Sequence, residues 1–213
     1  MRFAVSALSV LLVSPVAAQD WSGQWGGLSL GYGTGSYEQG DIEKGQAGAE
    51  VDVDNLLLGL QYQRSFQQGS QVWGFDIGLS NGVRGAVSQG SVPVYWSCDL
   101  GDCNVKIEAL LTVRGRYGWL WTPETMIYGA GGLAVGKVEG GIENSFQQGS
   151  STATGYTIGI GLAHMVRPDL VLYGEINHVD LGTLEFGWGD GPADTLDGSG
   201  DIDTVVIGAS FRF

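Results

Sequence analysis

The chain has 213 residues, enough for one domain with a sizeable core or for one sheet closed on itself, and nothing in it marks a second domain. Its formal charge is -13, from 10 lysines and arginines against 23 aspartates and glutamates, which argues against a nucleic-acid partner. Its 37 glycines and only 5 prolines fit closely approaching strands better than helices or disorder.

Residues 1–18 read as a cleaved signal peptide: Arg2, an apolar run from Phe3 to Val13, then Val16 and Ala18 at the positions that precede a cut before Gln19. Residues 19–213 are then a single domain. No later segment approaches the roughly 18 consecutive apolar residues of a membrane helix. What recurs instead is alternation with period two, over segments of about ten residues.

In chain order, Leu28, Leu30 and Tyr32 alternate with Ser29, Gly31 and Gly33. Leu56, Leu58, Leu60 and Tyr62 form one face of the second segment, and Trp73, Phe75, Ile77 and Leu79 one face of the third, opposite Asp76. The fourth sets Ile107, Ala109, Leu111, Val113, Gly115, Tyr117, Trp119 and Trp121 against Lys106, Glu108, Leu110, Thr112, Arg114 and Arg116. The fifth is glycine-rich, with Ile127, Leu133 and Val135 favoured on the apolar face. The sixth presents Tyr156, Ile158, Ile160 and Leu162. The seventh sets Leu170, Leu172 and Ile176 against Tyr173, Glu175 and Asn177, and the last sets Val205, Ile207, Ala209, Phe211 and Phe213 against Thr204, Val206, Ser210 and Arg212.

Eight strands result, joined by short turns near 64–70, 122–124 and 167–169 and by long connections near 35–50, 82–104, 139–152 and 181–200. Short turns at one end and long loops at the other predict an eight-stranded antiparallel up-and-down transmembrane β-barrel, with periplasmic turns and extracellular loops. The hexapeptide SFQQGS occurs at Ser65–Ser70 and at Ser145–Ser150, but the two copies fall at opposite ends of the barrel. A duplicated hairpin would keep its end, so the repeat is read as chance.

A soluble carrier barrel of the lipocalin kind shows the same alternation with its apolar face inward. An eight-stranded lumen is too narrow for Trp73, Phe75, Tyr117, Trp119, Trp121, Phe211 and Phe213 together, whereas the glycine, serine and alanine face fits it. Trp25, Tyr62, Trp73, Trp119, Trp121 and Phe213 also fall near the short-turn end, as an aromatic belt at a headgroup boundary. The apolar face therefore meets lipid. Arg114 and Arg116 point inward, because each would cost about 2–4 kcal/mol facing lipid at mid-depth. They are expected to share the lumen with Asp76, Lys106, Glu108, Glu175 and Arg212, with Glu175 and Glu108 as their principal carboxylate partners.

Cys98 and Cys103 are the only cysteines; an exported chain favours a short-range disulfide between them. Two thiols do not complete a structural zinc site, and no cofactor motif is present.

The signal peptide, WSGQWGGLSLGYG, the central LTVRGRYGWLW followed by MIYGAGGLAVG, the late YGEINHVDLG and the terminal FRF resemble the small OmpA-like and opacity-type outer-membrane barrels of Gram-negative bacteria. The resemblance covers residues 19–213. It implies a structural or surface-exposed envelope protein among outer-membrane lipid and lipopolysaccharide, with a terminal strand ending at Phe213 that the barrel-assembly machinery reads. The cysteine pair departs from the family pattern, so loop function does not carry over.

Other functions are weighed against a sealed barrel. Eight strands leave no open pore, so ion passage would be restricted to a narrow charged path. Adhesion would reside in the long loops. A rim enzyme would draw on His178 and Asp180, but His178 reads better as an interfacial residue. The seven carboxylates at 180, 185, 190, 194, 197, 201 and 203, with no lysine or arginine among them, suggest divalent cations bridging to lipopolysaccharide.

Overall fold

A computed structural model describes residues 19–41, 46–87, 102–142, 148–185 and 197–213. The signal-peptide segment and Cys98 lie outside these residues. The strands are β1 (Gly23–Asp41), β2 (Gln46–Gln68), β3 (Gln71–Asn81), β4 (Arg84–Val87), β5 (Cys103–Thr122), β6 (Thr125–Ile142), β7 (Gln148–Arg167), β8 (Leu170–Glu185) and β9 (Asp197–Arg212). Every pairing is antiparallel, and β1 bonds to both β2 and β9, so the sheet closes on itself. β3 and β4 are two pieces of one barrel strand between β2 and β5, which gives a ring of eight positions.

The register sets the tilt. From Thr34, cross-strand neighbours run through Asp203, His178, Ile158, Gly131, Gly115, Phe75 and Arg64 and return to β1 at Gln24, a stagger of ten residues. A small barrel closes with such a stagger only if its strands tilt by about 35–45°.

Three tight turns sit at one end, at Gly69–Ser70, Pro123–Glu124 and Pro168–Asp169. Gly69 takes φ 61°, a left-handed conformation that glycine adopts without steric cost. The two prolines preset φ for the first turn position.

At the other end the strands run further than their apolar-out alternation does. Residues 35–41 and 46–50, expected in a long connection, belong to β1 and β2, and the ladder runs on from Gly35↔Val53 to Glu38↔Glu50. Glu139–Ile142 and Gln148–Ser151 likewise belong to β6 and β7. The reason is an inversion of the pattern. Through the lipid-facing band, Leu56, Leu58 and Leu60 point outward; beyond it Val51 and Val53 point inward and Asp52 and Asp54 outward. One ladder thus carries a membrane barrel and, above it, a barrel with a soluble-type core.

Two irregularities lie side by side where the pattern inverts. The ladder between β5 and β6 shifts from Ile107↔Val138 to Ala109↔Lys137, leaving Glu108 as a β-bulge. An extra residue in one strand reverses the phase beyond it. Val105 and Ile107 therefore point inward above the bulge, and Leu110, Arg114 and Arg116 below it. Alongside, the third barrel strand breaks at Gly82–Val83, where Ile107 N donates to Val83 O at 2.8 Å. A side chain at Gly82 would lie 2.5 Å from Ile107 O, so only glycine fits. The Asn81 amide mends the break by donating to Leu56 O at 2.8 Å and accepting from Leu58 N at 2.6 Å.

Candidate functional site in the barrel lumen

Asp76 and Arg114 face one another across β3 and β5, so the register alone brings them together. Arg114 Nε lies 2.9 Å from Asp76 Oδ1, and its Nη1 lies 2.7 Å from both Glu175 Oε1 and Asn177 Oδ1 on β8. The Tyr128 hydroxyl donates to Glu175 Oε2 at 2.8 Å. Arg116 sits 3.6 Å from Asp76 Oδ2, donates to Gln63 Oε1 and stacks its guanidinium 3.9 Å from the Tyr128 ring centre. Two arginines and two carboxylates, all buried, balance in charge.

Glycines make room for this layer. A side chain at Gly161 would meet the Tyr128 ring at 2.4 Å, and one at Gly159 would meet Asn177 Oδ1 at 2.1 Å. Beside Arg114 and Glu175 a cavity of about 90 Å³ is lined by Ser29, Gln61, Thr112, Thr157 and Thr204 together with Leu57, Leu110, Val179 and Val206. It has room and polar partners for ordered water.

Apolar layers lie on either side. Toward the outer end, Tyr37, Val51, Val53, Val105, Ile107, Val138 and Ile202 form one buried cluster. Toward the turns, Trp21, Trp25, Met126, Tyr128, Met165 and Tyr173 form another. The segment before β1 crosses the mouth here: Trp21 N donates to Gln67 Oε1 at 2.8 Å, and its indole Nε1 donates to Pro123 O at 3.0 Å. Arg212 donates to Asp20 O and Ser22 O, with its guanidinium 4.8 Å from the Trp25 ring. Hydrogen bonds from the Ser22 amide and hydroxyl hold the Asp20 carboxyl below its usual pKa.

Three expectations need correction. Lys106 and Glu108 are not in the lumen: the bulge turns both outward, where Lys106 Nζ lies 3.1 Å from Glu108 and 3.4 Å from Glu139, and Lys137 pairs with Glu108. Glu108 is thus no partner of the arginines, and Asp76 takes that place beside Glu175. Trp25 is not in an outer aromatic belt. It is 2% exposed inside the barrel, as its odd number on β1 requires once Leu28, Leu30 and Tyr32 face outward. Trp73, Trp119, Trp121 and Phe213 do face outward at the turn end, and Tyr62 packs 6.3 Å from both Phe75 and Phe213. Tyr128, Asn177 and Gln63 complete the charged layer; phase on β6, β8 and β2 is the one signal that points them inward.

On the outward face a polar collar follows the last apolar residue of each strand. Asp52, Asp54, Asp201 and Asp203 make one sector acidic, with His178 Nδ1 3.0 Å from Asp203 Oδ1. Arg84, Lys106 and Lys137 occupy the sector on β4, β5 and β6.

The comparisons with known proteins agree with this architecture. The family model described as "Outer membrane protein beta-barrel domain" matches residues 3–213. The 31 kDa outer-membrane immunogenic protein of Brucella melitensis is 27% identical over 226 residues, covering 98% of this chain and 90% of that one. Among solved structures, OprG from Pseudomonas aeruginosa aligns with TM-score 0.60 at 15% identity, covering 92% of this chain and 98% of that one. Ail of Yersinia pestis, solved with the heparin analogue sucrose octasulfate, aligns with TM-score 0.50 at 19% identity, covering 90% and 99%. The chain belongs to the outer-membrane protein β-barrel domain family, and it is a barrel of the Gram-negative outer membrane.

Proposed function

We propose that the protein is a sealed, surface-exposed structural barrel of the envelope and not a pore. The order of layers in the lumen carries this reading: apolar at Trp21 and Trp25, charged and paired at Arg114, apolar again at Tyr37 and Val138. An ion would have to cross two dry constrictions, which oppose passage by excluding water, and the charges between them are already paired. Planar-bilayer recording tests this. No unitary conductance is expected above the lipid baseline, and steady openings by the purified protein would overturn the reading.

A second reading concerns the acidic sector. One ligand atom each from His178, Asp201 and Asp203 lie within 4.8 Å of one another, which supports divalent cations bridging this face to lipopolysaccharide phosphates. Calorimetry that detects no calcium or magnesium binding by the folded barrel would remove it. The same geometry weighs against catalysis by His178 and Asp180, because the imidazole is held by Asp203 at the lipid edge, 6.4 Å from the Tyr156 ring. An adhesive or ligand-binding role through the outer loops is the alternative to a structural one; the Brucella relative's name as an immunogenic protein fits a surface that outside molecules meet. Within this reading the terminal strand ending in outward Phe213 is the segment the assembly machinery recognises, and a Cys98–Cys103 bond braces the connection before β5.

A further inference from the structure

Three arginines border the turn end of the barrel, and two of them have partners. Arg212 points into the mouth and donates to Asp20 O and Ser22 O, and Arg167, next to its turn, lies 3.2 Å from Asp169 Oδ1. Arg64 on β2 points outward, on the face that carries Leu58, Leu60 and Tyr62. Among the described residues it makes neither a hydrogen bond nor an ion pair. Its neighbours on that face are uncharged: Tyr62 and Phe66 along β2, Gln24 and Phe75 directly across the ladder, and Trp73 and Ile77 diagonally. Behind the wall, Arg114 and Arg116 are balanced by Asp76 and Glu175, so the lumen offers Arg64 no net countercharge.

An arginine on the lipid-facing surface of a barrel is costly at depth, but its long stem lets the head reach the headgroup region. Arg64 reaches across an aromatic ring: its Cζ lies 5.4 Å from the centre of Phe66, which is nearer the turn and stacks on Trp73 with centroids 4.7 Å apart. That contact holds the guanidinium by its face and leaves its N–H groups unbonded. Directly opposite, Gln24 Oε1 accepts the Tyr62 hydroxyl at 3.0 Å, so the amide is oriented and its Nε2 remains a donor. Residues so placed have Cβ atoms about 4.5–5.5 Å apart, and the guanidinium and the carboxamide therefore offer N–H groups to one place on the surface. The short turns are periplasmic, which puts that place in the periplasmic leaflet.

We propose that Arg64 and Gln24 form a binding site for the phosphodiester of an anionic phospholipid in the periplasmic leaflet. Arg64 supplies the countercharge and a charge-assisted hydrogen bond, and Gln24 supplies a second donor to the same phosphate. Phe66 and Tyr62 orient the two groups. The inference rests on the outer-membrane location and is independent of whether the lumen conducts.

The test titrates the folded barrel in neutral detergent with phosphatidylglycerol and, in a separate arm, with diacylglycerol of the same chains, with EDTA present to remove bridging cations. Bound lipid is scored by native mass spectrometry. The wild type should prefer phosphatidylglycerol by about fivefold or more, and Arg64→Gln should remove most of that preference. Gln24→Leu should reduce it in part, while Arg167→Gln, which alters a guanidinium already paired with Asp169, should leave it unchanged. Heat-modifiable gel migration verifies that each variant is folded. Equal binding of the two lipids by the wild type, a preference retained by Arg64→Gln, or an equal loss in Arg167→Gln overturns the proposal. Displacement of phosphatidylglycerol by an equal concentration of inorganic phosphate overturns the lipid assignment in favour of a free-anion site.

Discussion

Glu175 on β8 places Oε1 2.7 Å from Arg114 Nη1 on β5 and receives the Tyr128 hydroxyl of β6 on Oε2 at 2.8 Å. One carboxylate therefore ties three strands together through the lumen, in a layer with apolar clusters on either side. Breaking a buried pair by removing one partner leaves an uncompensated charge, at a cost of about 3–5 kcal/mol. Glu175→Leu should lower the stability of the barrel by that amount in urea unfolding from phospholipid vesicles. Arg114→Met combined with Glu175→Leu should lie closer to the wild type than Glu175→Leu alone. Strictly additive losses would mean that the two side chains do not act as a pair.

Glycine in this chain has two separable roles, and alanine distinguishes them. A side chain at Gly161 would run into the Tyr128 ring at 2.4 Å, while one at Gly115, facing lipid, meets nothing nearer than Gly131 O at 3.9 Å. Gly161→Ala should destabilise by about 1–3 kcal/mol through overpacking, and Gly115→Ala should be close to neutral. Equal midpoints for the two variants in the same unfolding assay would contradict the placement of Tyr128 over Gly161.

The membrane half of the fold was legible because its alternation is strong and one-sided. Leu28, Leu30 and Tyr32, or Ile158, Ile160 and Leu162, leave no doubt about which face meets lipid once Arg114 and Arg116 must avoid it. The outer half was not, because there the sign reverses: Val51 and Val53 are the inward residues, and Asp52 and Asp54 resemble loop residues until their ladder partners are known. Trp25 was readable from its phase relative to Leu28, although its aromatic character drew it to the belt. Lys106 and Glu108 were not readable, since nothing in the order of residues distinguishes Glu108 from a regular strand position. A bulge is a property of the pair of strands, and this one lies beside the break at Gly82 and Val83.

Because Glu108 is itself the extra residue, deleting it should be tolerated. The deletion makes the ladder continuous from Ile107↔Val138 to Ala109↔Lys137, with Ile107 still inward in its apolar cluster and Lys106 still outward. The deletion variant should fold into lipid vesicles with the normal heat-modifiable band, and so should Glu108→Gln, which keeps the extra residue and removes only the charge between Lys106 and Lys137. Loss of the band from the deletion variant alone would mean that the strand ends above the bulge depend on the extra residue for more than its phase.

Two closures in series make a prediction about conductance that one closure does not. The turn-side layer is held by Trp21 and Trp25, the outer layer by Tyr37 and its apolar neighbours, and the charged layer lies between them. Widening one layer leaves the other to exclude water, so Trp25→Ala or Tyr37→Ala alone should pass no more current than the wild type. With both layers opened, in a variant carrying Trp21→Ala, Trp25→Ala and Tyr37→Ala, the remaining barrier is the polar layer around Arg114. Its cavity of about 90 Å³ already has the size and lining to hold water. Small unitary events should then appear in planar bilayers, and adding Glu175→Gln should shift their selectivity toward anions by leaving the arginines in excess. Full conductance from Trp25→Ala alone would place the whole barrier at the turn-side mouth and leave the outer cluster without a role in sealing the barrel.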